Sequence, residues 1–238
     1  MTIYAIADIH GYRAALEEAL ARIEEDAGAE DAPVVFLGDL VDRGPDSRGV
    51  IDLLVRGIAE GRPWIVVKGN HDRLFERFLD RGAEHDPRIM SGLGWLAPQL
   101  GGPATLASYG VESAGRPAAE VLAEAREAVP ASHLLFLRAR PLWHLAGNLL
   151  FVHAGIRPGV PLEDQTEDDL LWIRQPFLDH ARPHPWLVVH GHTPVDYPRH
   201  YGNRVNLDAG AGFGRELVPA VFEEDGAFLL EPGGRARL

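Results

Sequence analysis

Short segments along the chain combine residue types that hold metals and phosphate: Asp8-Ile9-His10, the run GDLVDRG over 38–44, GNHD over 69–72, HAG over 153–155 and GHT over 191–193. In an extended segment alternate residues share a face, so Asp8 and His10 point the same way. Asp39 stands at the end of an apolar strand, and its two oxygens allow it to bridge two cations about 3.5 to 4 Å apart. Asn70 offers a neutral carbonyl oxygen, and His153 and His192 offer imidazole nitrogens. Taken singly, D-x-H is a common triplet, and GNHD also reads as a turn in which Asp72 starts a helix. GDLVDRG is more specific, because a Gly, two acids and an Arg are each costly after an apolar strand. All five segments in one chain are not a coincidence.

Composition narrows the chemistry. The chain of 238 residues contains no cysteine, so thiol nucleophiles, thiolate metal sites and disulfides are excluded, and any metal must be held by His, Asp, Glu or Asn. Lys68 is the sole lysine and is followed by Gly69 and Asn70, which rules out a G-x-x-x-x-G-K-[ST] phosphate loop. A formal charge of −12 argues against tracking along nucleic acid. No apolar run approaches the roughly 18 residues that span a bilayer, and the first ten residues lack the basic start of a signal peptide. A soluble, cytoplasmic protein with no membrane contact is expected. Its length and 46% apolar content suit a single α/β domain.

These residues need strands that end at one place. Apolar runs predict strands at Thr2–Ala7, Pro33–Leu37, Trp64–Val67, Leu149–Val152, Trp186–Val189 and Val205–Leu207. Helical periodicity predicts Arg13–Glu25 and a helix capped by Asp46 running to about Glu60. The β-α-β-α-β start favours a parallel sheet, and ligands of such sheets collect beyond the carboxyl ends of strands. Residues 81–141 are looser, rich in Gly and Pro, with helices at Pro117–Val129 and Ser132–Arg138, and read as an inserted helical cap. Leu217–Leu230 alternates around Asp225-Gly226 as a hairpin does.

In these motifs and their order, from Asp8 to about Gly210, the sequence resembles the metallophosphoesterase superfamily. Within it the sequence is similar to the phosphoprotein phosphatases, especially small bacterial and bacteriophage serine/threonine phosphatases. The resemblance implies a four-layer α/β/β/α sandwich with two divalent ions at one edge, manganese foremost, with iron or zinc as alternatives. Carried over residue by residue, Asp8, His10 and Asp39 hold the first ion, and Asp39, Asn70, His153 and His192 the second. Pro194 stands where the wider superfamily often has a further His, which fits the phosphoprotein phosphatase branch.

Charge then implies a mechanism. Two cations screen a phosphate dianion and lower the pKa of a bridging water towards about 7, so a bridging hydroxide would attack phosphorus in line. Arg43, and Arg174 in LLWIRQ, match phosphate oxygens with their guanidinium forks. His71 would protonate the leaving group, with Asp42 orienting it. The substrate is expected to be a phosphoprotein or phosphopeptide, given the acid retained at Asp42. GNHD ends in Asp72 where protein phosphatases usually carry Glu, which keeps open a nucleotide substrate and a symmetrical diadenosine tetraphosphate hydrolase. A non-catalytic metal-binding scaffold would need neither His71 nor the arginines. Asp208 either orients a metal-bound His or bonds its own turn, and His190 is taken as structural. Trp95 belongs either to a lid over the metals or to an irregular cap. The acids Glu163, Asp164, Glu167, Asp168 and Asp169 read as a solvated face, or else as a cleft edge that disfavours acidic substrates.

Overall fold

The structure is a computed structural model that describes residues 2–26 and 31–238. Strands β1 (Ile3–Ile6), β2 (Val34–Phe36) and β3 (Trp64–Val66) are parallel, with Ala5 level with Val35 and Val35 with Ile65. Helices α1 (Arg13–Glu25) and α2 (Ser47–Ala59) make the crossovers. Asp46 caps α2 by accepting from Gly49 N at 2.8 Å, as its sequence position predicts. The chain enters α3 (Asn70–Arg81) directly from β3 and leaves it at Gly82, whose φ of 67° provides the left-handed stop. After α3 come α4 (Gly102–Ser108), α5 (Ala118–Ala128) and α6 (Ala131–Arg138).

A second sheet contains β4 (Trp143–Ala146), β5 (Leu149–Val152), β6 (Leu187–His190), β7 (Arg199–His200) and β8 (Arg204–Asn206), in the order β4-β5-β6-β8-β7. Helix α7 (Glu167–Trp172) lies between β5 and β6 in the chain. Strands β9 (Ala220–Glu223), β10 (Gly226–Glu231) and β11 (Gly234–Arg237) then return to the first sheet, giving β11-β10-β9-β1-β2-β3. The expected hairpin is present, with Glu223 opposite Gly226. The edge strands β4 and β11 are largely exposed and lack the apolar runs that mark the central strands.

Period-two alternation assigns each strand residue to a layer. Ile3, Ala5, Val35 and Leu37 face Phe151, Val189, Val205 and Leu207 across the space between the sheets. Tyr4, Ile6, Val34 and Phe36 face the other way, onto Leu16, Ala19, Val50 and Leu54 of α1 and α2. Leu150, Val152 and Val188 on the outside of the second sheet meet Leu162, Leu170 and Phe177. The result is the expected α/β sandwich. Each buried large aliphatic side chain contributes roughly 1.5–3 kcal/mol, so Leu16→Ala would cost about 2–5 kcal/mol. Within 81–141, Trp95, Leu106, Tyr109, Val121, Ala125 and Leu137 sit in the same core as α1 and α2.

Candidate metal centre and active site

Because β1, β2 and β3 are parallel, and β5, β6 and β8 are parallel to one another, the motif residues collect beyond their carboxyl ends. Asp39 stands between two imidazoles, with Oδ2 at 3.5 Å from His10 Nε2 and Oδ1 at 3.5 Å from His153 Nε2. Asn70 Oδ1 lies 2.8 Å from both His153 Nε2 and His192 Nδ1. Two groups result whose ligand atoms lie within 4.8 Å of one another: His10, Asp39 and His71, and Asp39, His153 and His192. Asp39 belongs to both. Asp8, expected beside His10, lines the same cleft and accepts from His192 N at 3.1 and 3.2 Å.

The donor set fits metal ions. His10 Nδ1 bonds Val41 O at 2.9 Å and His153 Nδ1 bonds Leu37 O at 2.9 Å, so both rings carry their proton away from the site and aim an Nε2 lone pair into it. His192 Nε2 is buried with no hydrogen-bond partner. Burial holds His10 and His192 well below the usual histidine pKa, and lowers His153, which leaves neutral imidazoles of the kind that bind metal. Burial would push Asp39 up, but it is held below the ordinary carboxyl value, the hydrogen bond it accepts from His71 N at 2.9 Å being one cause. Asp8 is pushed well above the ordinary carboxyl value by burial and by the charges of Asp208 and Asp39. Carboxylates crowded out of water in this way are a setting that cations relieve.

Backbone strain marks the same residues. His10 (φ 50°), Asp39 (49°), Asp42 (74°), Arg43 (70°) and His192 (65°) are left-handed, and among the described non-glycine residues only Asp31 shares that conformation. Each costs about 1–3 kcal/mol, which the surrounding fold must offset. Close packing is equally demanding, since a Cβ on Gly191 would collide with Asp8 Oδ1.

Beside the metal-type residues, His71 Nδ1 is 2.6 Å from Asp42 Oδ2, and its Nε2 faces the cleft at 3.2 Å from Arg43. Arg43 also reaches His10 Nε2 at 2.9 Å. The fully buried Asp42 accepts from Trp95 Nε1 at 2.9 Å and from Thr105 Oγ1 at 2.7 Å. Trp95 is therefore neither lid nor loose cap: it is a buried support for the Asp42–His71 pair. Thr105 gave no signal in sequence. Arg174 is exposed on the cleft wall, and Arg88, Met90 and Phe213, which the motifs did not indicate, join it around a volume of about 330 Å³.

The remaining candidates separate cleanly. Asp208 bonds Gly210 N at 2.8 Å within its own turn and lies beside Asp8, with burial pushing it up to about 6. His190 points away, its Nε2 3.2 Å from Arg204 and its ring against Phe177. Asp72 accepts from Leu40 N at 2.9 Å and Gly69 N at 2.8 Å, tying the loops after β2 and β3 together. It serves the scaffold and does not face the cleft as a ligand. In the acid cluster, Asp168 pairs with Arg73 and Arg88, and Asp169 with Arg157.

A model of calcineurin-like phosphoesterases matches residues 1–227. The chain belongs to the calcineurin-like phosphoesterase family. It is 30% identical to the asymmetrical bis(5'-nucleosyl)-tetraphosphatase PrpE of Geobacillus thermodenitrificans, over 94% of this chain and 91% of that protein. It is 29% identical to the PrpE of Halalkalibacterium halodurans, over 92% and 89%. Among solved structures, a candidate diadenosine tetraphosphatase superposes with a TM-score of 0.67 at 23% identity, covering 96% of this chain and 92% of that one. A cold-active protein-tyrosine phosphatase from a Shewanella species gives 0.65 at 14%, covering 100% and 80%. At such identities both share the fold alone. As a calcineurin-like phosphoesterase this chain is a metal-dependent hydrolase whose His and Asp groups are able to bind metal. The superfamily expectation holds, whereas the curated relatives are named for nucleotide tetraphosphates and not for the phosphoprotein phosphatase branch.

Proposed function

We propose that this protein hydrolyses nucleoside polyphosphates, with dinucleoside tetraphosphates as substrates and asymmetrical cleavage into a nucleoside triphosphate and a monophosphate. The observation that carries this is near full-length similarity to tetraphosphatases named for that cut. It replaces the expected phosphoprotein substrate, and it differs from the expected symmetrical hydrolase in which bond breaks. The cleft supports it chemically: Arg43, Arg88 and Arg174 line one volume, and three guanidinium groups exceed what a single phosphoryl group needs.

Within this reading Asp8, His10 and Asp39 hold one divalent ion and Asp39, Asn70, His153 and His192 a second, manganese foremost among the candidates. When bound, such ions supply Lewis acidity and a more acidic water. The protein's own residues do the rest. Arg43, fixed between His10 and His71, and Arg174 bind the oxygens of the phosphoryl group under attack. Once substrate oxygens take up the Arg43 donors, His71 Nε2 is free to carry a proton to the departing oxygen, while the buried Asp42 fixes the ring through Nδ1. We take residues 1–238 as one domain with 81–141 as its insertion, acting in the cytoplasm.

A second reading, a serine/threonine phosphatase, draws on the 2.6 Å contact between Asp42 and His71. An alkoxide leaving group needs a proton far more than a nucleotide phosphate does. The two readings part when kcat/KM of manganese-loaded protein is measured side by side on diadenosine tetraphosphate and on phosphothreonine and phosphotyrosine peptides. Preference for the dinucleotide is expected, and preference for either peptide would overturn the proposal.

A further inference from the structure

Met90, 94% exposed, and Phe213, 62% exposed, are the two most exposed large apolar side chains among the described residues. Both line the metal cleft. Exposed apolar surface gathered at the mouth of a polar site marks a ligand contact. Phe213 is not a loose side chain. It ends the short turn Ala211–Phe213, bounded by the left-handed glycines Gly210 (φ 87°) and Gly214 (φ 78°). Within that turn a Cβ on Gly212 would collide with His10 Cδ2, so the turn lies directly against the metal-type residues. The Arg43 guanidinium carbon sits 4.7 Å from the Phe213 ring centroid. One side chain thus reaches both the phosphate position and this ring, which places the ring next to whatever is attached to the phosphate.

From this we infer that Phe213, with Met90 lining the same cleft, is the platform for a nucleobase of the substrate, a subsite that selects nucleoside phosphates over bare phosphate chains. The inference rests on the nucleotide reading above. The ring face away from Arg43 accepts the base, and the cation on the near face strengthens the stack. Aromatic stacking tolerates any base, since each has a π-face, and it raises affinity by about tenfold or more per base.

The test is titration calorimetry of the manganese-loaded full chain with adenosine 5'-(α,β-methylene)diphosphate and with methylenediphosphonate, which share the phosphonate unit and differ by the nucleoside. The wild type is expected to bind the nucleotide about tenfold or more tightly than the bare diphosphonate. Phe213→Ala should bring that ratio close to one, and Phe213→Trp should retain it. A ratio near one in the wild type, or an undiminished ratio in Phe213→Ala, would overturn the platform. A phosphotyrosine peptide preferred over a phosphoserine peptide through Phe213, with no nucleoside preference, would give the ring to a phosphoaryl group and overturn it as well. Failure to hydrolyse diadenosine tetraphosphate while the nucleoside preference persists and depends on Phe213 would fault the catalytic reading and uphold the subsite.

Discussion

The loops after the parallel strands and the segment 81–141 both build the site, but in different currencies. The loops supply lone pairs and charge: Asp39 between His10 and His153, Asn70 between His153 and His192, Arg43 across His10 and His71. The segment lends Arg88 and Met90 to the cleft wall, but its contribution to the chemistry is Trp95 and Thr105, which do not line the cleft and instead hold Asp42 from behind. Chemistry dictates the first set by residue type. The second set needs only a buried donor at the right place, which many residue types can provide.

Substitutions should separate the two regions in order of severity. The largest effect belongs to Asp39→Ala, which removes the group common to both ligand clusters. Bound manganese, measured by elemental analysis, should fall by more than the 10- to 100-fold typical of losing an outer support, and activity with it. Chelation of the wild type should reproduce the loss and added manganese should reverse it in the wild type only. Next, His71→Gln should lower kcat by about 10²- to 10⁴-fold on a phosphoserine substrate, and by less on diadenosine tetraphosphate, whose leaving group is far less basic. Equal losses on both would remove His71 from the proton-transfer role.

Trp95→Phe and Thr105→Val come third. Each deletes a hydrogen bond to the buried Asp42 carboxylate, a loss of about 1.5–3 kcal/mol in unfolding free energy that denaturant titration would read, and Thr105→Val also removes the acceptor of Asp42 N and a partner of Ser47 Oγ. Manganese content should stay at the wild-type level while kcat falls, because these residues act on Asp42 and His71 and not on the metal ligands. A fall in metal content would erase the distinction between the regions.

A smaller effect is expected from pH. Burial, then the nearby Arg204 charge, hold His190 down at about 3. Between that value and the ordinary histidine pKa of about 6.5, the unfolded chain binds a proton that the folded chain does not. Stability from this group is therefore present above about 6.5 and is lost on acidification, by at most ~1.4 kcal/mol per pH unit. His190→Gln should flatten the stability profile over that window in urea titrations. The smallest effect is expected at Arg138–Asp80, an exposed pair within the 81–141 region and α3, where Arg138→Ala should change stability by about 0–1 kcal/mol.

What the sequence made legible follows the same division. The central strands and the helices α1 and α2 were readable because apolar period and caps act locally, as at Asp46. The metal-type residues were readable because few side chains can hold a cation. Asp42 misled: its acid was read as favouring a phosphoprotein substrate, whereas the curated relatives are named for nucleotide tetraphosphates and its oxygens are engaged by His71, Trp95 and Thr105. Edge strands such as β11, with its Gly-Arg-Ala-Arg sequence, carry no apolar signature and form by pairing with β10. Trp95 was singled out but not as a support for Asp42, and Thr105, Arg88 and Phe213 were missed, because only tertiary folding brings these residues to the cleft or behind it.

The most direct measurement is phosphorus NMR of diadenosine tetraphosphate incubated with manganese-loaded protein. Resonances of ATP and AMP should replace those of the dinucleotide, and the same preparation should process a phosphothreonine peptide with lower kcat/KM. Persistence of the dinucleotide while the peptide is dephosphorylated, or ADP as the sole product, would contradict the proposal.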